Sequence, residues 1–147
     1  MNETIPSIID STTFKLHRVI ALLDRVADAY LRTEHGIRYP AFLALLMVRV
    51  LGEPSQQRIA ANLGVSRASV TQRIGALVDE GLLTTRTDPA DARANLVALT
   101  DSGAALLDAS WSGLEAHQAG LDDGVDEPAL AAQLDRILAN GARLEFS

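Results

Sequence analysis

At 147 residues, with 48 % hydrophobic and 4 % aromatic content, the chain is long enough for one domain with a real core, and its Ala- and Leu-rich mixture favours helix. It has no cysteine, which excludes disulfides, a thiol redox switch and zinc–thiolate sites. The net charge of −6 is unevenly spread: residues 49–93 carry six arginines against five acids, residues 101–147 two arginines against nine, so only a modest non-specific affinity for polyanions is expected.

Residues 1–10 show no periodicity and read as a loose arm or an extension of a dimer interface. No basic segment precedes an apolar stretch there, so no signal peptide is expected. From Thr12 or Thr13 as cap, a helix is predicted to about His35, ended by Gly36, with an apolar stripe from Phe14 through Val19, Leu22, Leu23, Val26, Tyr30 and Leu31. A second helix follows from about Pro40; Phe42, Leu45, Leu46, Val48 and Leu51 make it apolar nearly all round, and hence central. The longest apolar run, residues 41–48, stops at Arg49 and cannot span a bilayer, so the protein is expected in the cytoplasm with no membrane contact.

Ser55 can cap a short helix carrying Ile59, Ala60 and Leu63, and Gly64 supplies the positive φ that ends it. Ser66 caps the next helix almost at once. Its stripe of Val70, Ile74, Leu77 and Val78 faces inward, and it ends at Gly81. Two helices joined so tightly must cross steeply, with Ala60 small enough for close approach; this is a helix-turn-helix, whose second helix enters the major groove of DNA. The remaining face offers Arg67, Ser69, Thr71, Gln72 and Arg73, types that reach base edges or phosphates, while the backbone at Ser66 can hold a phosphate. A surface helix that merely needs a solvated face is the blander reading of the same residues.

Leu83 to Thr87 and Leu96 to Thr100 read as two short strands separated by a polar, turn-rich loop over residues 88–95. Thr100 or Asp101 starts a helix with Leu106, Leu107, Trp111 and Leu114, running to about Gly120. A loop of acids follows, and a last helix capped by Asp126 with Pro128 just inside carries Leu130, Leu134, Ile137 and Leu138. His17, His35 and His117 lack metal-ligand partners at helical spacing, and residues 122–127 lack the ligand order of a calcium loop. No catalytic motif occurs. Neither metal, cofactor nor enzymatic activity is therefore expected.

Val65, Ser66 and Arg67, the run Val70 to Arg73, Gly81 to Leu83, and above all Asp88, Pro89, Ala90, Asp91, Ala92 and Arg93 before Leu96 to Thr100 resemble the MarR family of winged-helix transcription regulators. The resemblance implies a mainly α fold with a small β-hairpin wing. A winged helix-turn-helix unit would occupy residues 37–100, between dimerisation helices at 10–36 and 101–147. It implies that Arg93 enters or borders the minor groove and that Asp91 helps hold it against the recognition helix. Ser55, Ser66, Arg67, Ser69, Thr71, Gln72, Arg73 and Arg86 complete the DNA-binding set.

By the same resemblance, a homodimer would repress or tune transcription from a pseudo-palindromic operator of double-stranded DNA. A small aromatic or lipophilic effector would bind between the dimerisation helices and the reading unit, with His17, Tyr30, Tyr39, Phe42 and Trp111 as candidate contacts. The cysteine-based oxidant sensing found in some members is closed to this chain. The competing reading, prompted by the acidic balance, is a winged-helix module that binds protein without specific DNA contact.

Overall fold

The computed structural model describes residues 8–145 and is mainly helical, with one two-stranded antiparallel ribbon. In chain order the elements are α1 (Thr12–His35), α2 (Tyr39–Leu51), α3 (Gln56–Leu63), α4 (Arg67–Asp79), β1 (Leu83–Asp88), β2 (Asp91–Leu99), α5 (Asp101–His117) and α6 (Glu127–Glu145). The chain divides into two compact units, one ending at Leu114 and the other beginning at Glu115, within α5. The expectation of a loose arm over residues 1–10 lies largely outside the described residues.

In the first unit, α1 is capped by Ser11, whose Oγ accepts from Phe14 N at 3.3 Å, one residue before the cap expected from the threonines. Gly36, at φ 66°, ends it in the left-handed region, a conformation that costs glycine no Cβ clash. The next helix, α2, starts at Tyr39 with Pro40 in its first turn and buries Phe42, Ala44, Leu45 and Val48. It is the central helix that its composition implies. Ala27 and Leu31 of α1 join the same core, as do Ile59 and Ala60 of α3, Val70, Ile74 and Leu77 of α4, Leu83 and Val97 of the ribbon, and Leu107 and Leu114 of α5. One apolar cluster thus fixes the positions of both helices of the helix-turn-helix and the root of the wing.

The start of α5 is tied to the ribbon through Thr100. Its hydroxyl donates to Gly81 O at 2.6 Å and accepts from Gly103 N at 3.1 Å, so one residue caps α5 and anchors the turn after α4. In the second unit, Asp126 Oδ1 accepts from Ala129 N at 3.2 Å and caps α6. Leu130, Leu134, Ile137, Leu138 and Leu144 along α6 are exposed, as are Phe14, Val19, Ile20 and Leu22 along α1. No helix among the described residues is long and apolar enough to cross a membrane.

Candidate nucleic-acid interface

The turn between α3 and α4 is built from local chemistry. Ser55 Oγ accepts from Arg58 N at 3.2 Å, and Ser66 Oγ accepts from Ser69 N at 3.1 Å, so each helix has a side-chain cap. Between them Gly64 sits at φ 64°, and Val65 N donates to Ala60 O at 3.2 Å, closing the C-terminus of α3. With Val70, Ile74 and Leu77 buried, α4 leaves Arg67, Thr71 and Gln72 exposed. Ser69 and Arg73 lie on its flanks and are half-buried. Arg73 is turned toward α1, where it lines a cavity with Ile20, Asp24 and Leu63 rather than the outward face shared by Arg67 and Gln72.

The ribbon extends further than the sequence suggests. Its register runs from Leu83 opposite Leu99 to Thr87 opposite Asn95, then jumps, so that Asp88 pairs with Asp91 and residues 92–94 have no partner opposite. Residues 88–95, expected as a loop, are thus mostly strand, with a bulge that carries Arg93 out of the ladder. Two aspartates shape the tip: Asp88 Oδ1 accepts from Ala90 N at 2.9 Å and Asp91 Oδ1 from Arg93 N at 3.0 Å. Asp91 therefore holds the backbone of Arg93 and shapes the turn from which that side chain leaves. At the root, Val97 N donates to Pro54 O at 2.9 Å and Ser55 bridges to Leu96, which fastens the wing to the entry of α3.

These elements meet in a polar groove of about 250 Å³ lined by Ser55, Gln56 and Gln57 of the α3 entry, Arg67 of α4, and Asp88, Asp91, Arg93 and Asn95 of the wing. Two guanidiniums and several amide and hydroxyl donors converge there. Phosphate oxygens or base edges suit the two guanidiniums, each a planar fork of N–H groups, while Asp88 and Asp91 on the same lining each accept from a backbone N–H of the wing. Arg86 stands apart from the groove, its guanidinium 2.7 Å from Glu53 Oε2. The sequence offered no sign of this pair, nor of the 2.7 Å hydrogen bond from Thr71 Oγ1 to Gln56 Oε1, because each joins different elements.

A second concavity, of about 620 Å³, lies behind α4 between α1 and the start of α2. Its wall includes Ile20, Arg25, Tyr39, Leu43 and Val65 besides Arg73. At its edge Asp28 Oδ1 accepts from Arg38 Nε at 2.8 Å and from Tyr39 N at 2.9 Å, and these two bonds hold its carboxyl below the ordinary carboxylate range. Burial, with Asp24 nearby as a lesser cause, raises the Tyr39 phenol above its ordinary value.

The five aromatic and histidine candidates for an effector do not converge on one cavity. Tyr39 lines this one; buried Phe42 stacks on it at 6.2 Å between ring centroids and on Trp111, also at 6.2 Å, on its other side. Trp111 lines a separate, smaller cleft with Leu46, Arg49 and Leu107. The Tyr30 hydroxyl lies 3.3 Å from His35 Nε2, and His17 is exposed on α1 beside Phe14. Among the described residues no cluster of three or more His, Asp or Glu side chains could hold a metal ion.

Residues 35–94 match the family model described as the MarR family. No curated protein matches the chain in sequence. Solved structures share its fold. CouR from Rhodococcus jostii RHA1, bound to p-coumaroyl-CoA, superposes with a TM-score of 0.78 at 22 % identity over 92 % of this chain and 93 % of its own. A mutant of E. coli MarR complexed with operator DNA gives 0.76 at 22 % identity over 94 % and 98 %. The PcaV regulator of Streptomyces coelicolor with its natural ligand gives 0.75 at 20 % identity over 97 % and 99 %.

Proposed function

We propose that the chain, whose residues 35–94 match the MarR family model, is a sequence-specific, DNA-binding transcriptional regulator acting as a homodimer in the cytoplasm. The groove in which Arg67 of the recognition helix and Arg93 of the wing face the same space carries this reading. A helix in the major groove beside a ribbon whose arginine meets the narrower minor groove engages duplex on both sides of one phosphate backbone. The apolar residues left exposed along α1, and separately those along α6, are what a two-fold partner would cover, giving the dimerisation helices at 10–36 and 101–147 their role beside a reading unit at 37–100. Repression relieved by a ligand is the mode of action proposed, by likeness to CouR, a transcriptional repressor.

The effector reading rests on the cavity behind α4. Arg25 and Arg73 can meet an anionic head, while Ile20, Leu43, Val65 and the Tyr39 ring face an apolar or aromatic body. A ligand there touches the flank of the recognition helix, and it shifts DNA affinity only as far as it prefers one position of that helix.

Selection from a random duplex pool by the purified protein tests the proposal. Enrichment of an inverted repeat, with half-sites about one helical turn or a multiple of it apart, is the expected result. An unenriched pool together with binding indifferent to salt would favour the protein-binding module instead.

A further inference from the structure

Thr71 is exposed on the recognition helix, where a hydroxyl commonly reads a base. Here it is engaged. Its Oγ1 lies 2.7 Å from Gln56 Oε1 and 3.0 Å from Arg67 O, and it has a single proton to give. The shorter contact is to the amide oxygen. An amide whose oxygen is occupied has its nitrogen as the remaining donor, with two N–H bonds, and Gln56 lines the polar groove between α3 and the wing. That groove is where the DNA backbone passes if the proposed function holds, and this inference rests on that reading.

We propose that Gln56 is a phosphate-contacting residue and that Thr71 is a positioning residue which aims it, rather than a reader of bases. Gln56 is the first residue of α3, directly after the Ser55 cap, so its backbone is fixed and only its side chain needs orienting. The pair spans both helices of the helix-turn-helix. It therefore also reports their mutual packing to the bound backbone. A neutral amide displaces no condensed counterion, so its contact adds affinity without steepening the salt dependence, unlike an arginine contact.

A double-mutant cycle on duplex binding tests this, using the duplex that the wild-type protein enriches from a random pool and a shuffled duplex of the same composition. Thr71→Ala and Gln56→Ala are each expected to weaken binding roughly three- to tenfold on both duplexes, with the salt slope unchanged. The double variant should lose no more than either single one, and Thr71→Ser should restore the wild-type value. Gln56→Glu, which keeps the acceptor for Thr71 but turns the donor into an anion, should bind worse than Gln56→Ala. Unchanged thermal midpoints for these variants would separate the effect from misfolding.

Losses that multiply in the double variant, or no loss in either single one, would overturn the proposal. So would a changed base preference in Thr71→Ala that Gln56→Ala does not share. A wild-type protein that enriches no duplex would instead remove the DNA-binding reading, and this inference with it.

Discussion

Arg86 and Glu53 are tied across the root of the wing, with Nη2 at 2.7 Å and Nε at 3.3 Å from Glu53 Oε2. Glu53 holds this position at φ 51°, in the left-handed region that residues with a Cβ enter at some cost. The pair occupies a solvent-exposed cation of the wing that lies outside the polar groove. A phosphate approaching Arg86 must therefore compete with a carboxylate already in place.

Glu53→Gln is accordingly expected to raise duplex affinity. Exposed ion pairs are worth up to about 1 kcal/mol, so the gain should be at most about fivefold, larger at low salt than at high. Titration of a labelled duplex at two ionic strengths measures it. Unchanged or weaker binding would show that Arg86 takes no part in holding DNA.

Arg93 and Arg67 share one groove but should fail differently. Loss of the wing arginine in Arg93→Ala should weaken every duplex alike and lower the log–log salt slope by about one. Arg67→Ala or Gln72→Ala should cost about 1–3 kcal/mol on the preferred duplex and much less on a shuffled one, as expected of base readers. Competition assays with both duplexes distinguish the two patterns.

Gly103 tests the anchor of α5. A Cβ there would overlap the carbonyl of Leu82, a backbone atom that cannot swing aside, in the segment where Thr100 joins the α4 exit to α5. Gly103→Ala should therefore destabilise the fold by about 1–3 kcal/mol, although alanine is the better helix former. Chemical denaturation followed by Trp111 fluorescence would measure the loss, and an equally stable variant would refute the packing described.

Asp28 makes stability depend on acid. Its carboxylate accepts from Arg38 and from Tyr39 N, so its pKa in the folded state lies below the unfolded value of about 3.9. A depressed pKa contributes stability that is fully present above about pH 4 and is lost as the pH falls through the folded value. Asp28→Asn should be less stable at neutral pH, by about 1 kcal/mol for the weakened bonds to Arg38 and Tyr39 N, and should show a shallower acid decline. Denaturation midpoints between pH 7 and pH 3 decide the matter.

Much of this architecture is legible from local chemistry. Ser55, Gly64 and Ser66 mark the helix-turn-helix because a cap and a left-handed glycine act on the residues beside them. The buried stripe of Val70, Ile74 and Leu77 follows from helical phase alone. The wing tip was less readable: Asp88, Pro89 and Asn95 look like loop residues, and only cross-strand pairing with Thr87 makes Asn95 strand.

The side-chain ties were hidden for the same reason. Glu53 and Arg86 lie 33 positions apart, Gln56 and Thr71 15 apart, and no spacing rule connects them. Arg73 looked like part of the outward face of α4 because helical phase does not reveal where α1 crosses behind it. Likewise Tyr39, Phe42 and Trp111 belong to one stacked series, yet only Tyr39 and Trp111 reach a cavity wall, and each reaches a different one.

Hydroxyl-radical footprinting of the protein on its preferred duplex tests the two-groove grip most directly. The account predicts two protected patches related by a two-fold axis, each a major-groove stretch flanked by a minor-groove stretch whose protection alone disappears in Arg93→Ala. A single patch, or minor-groove protection that survives the loss of Arg93, would contradict it.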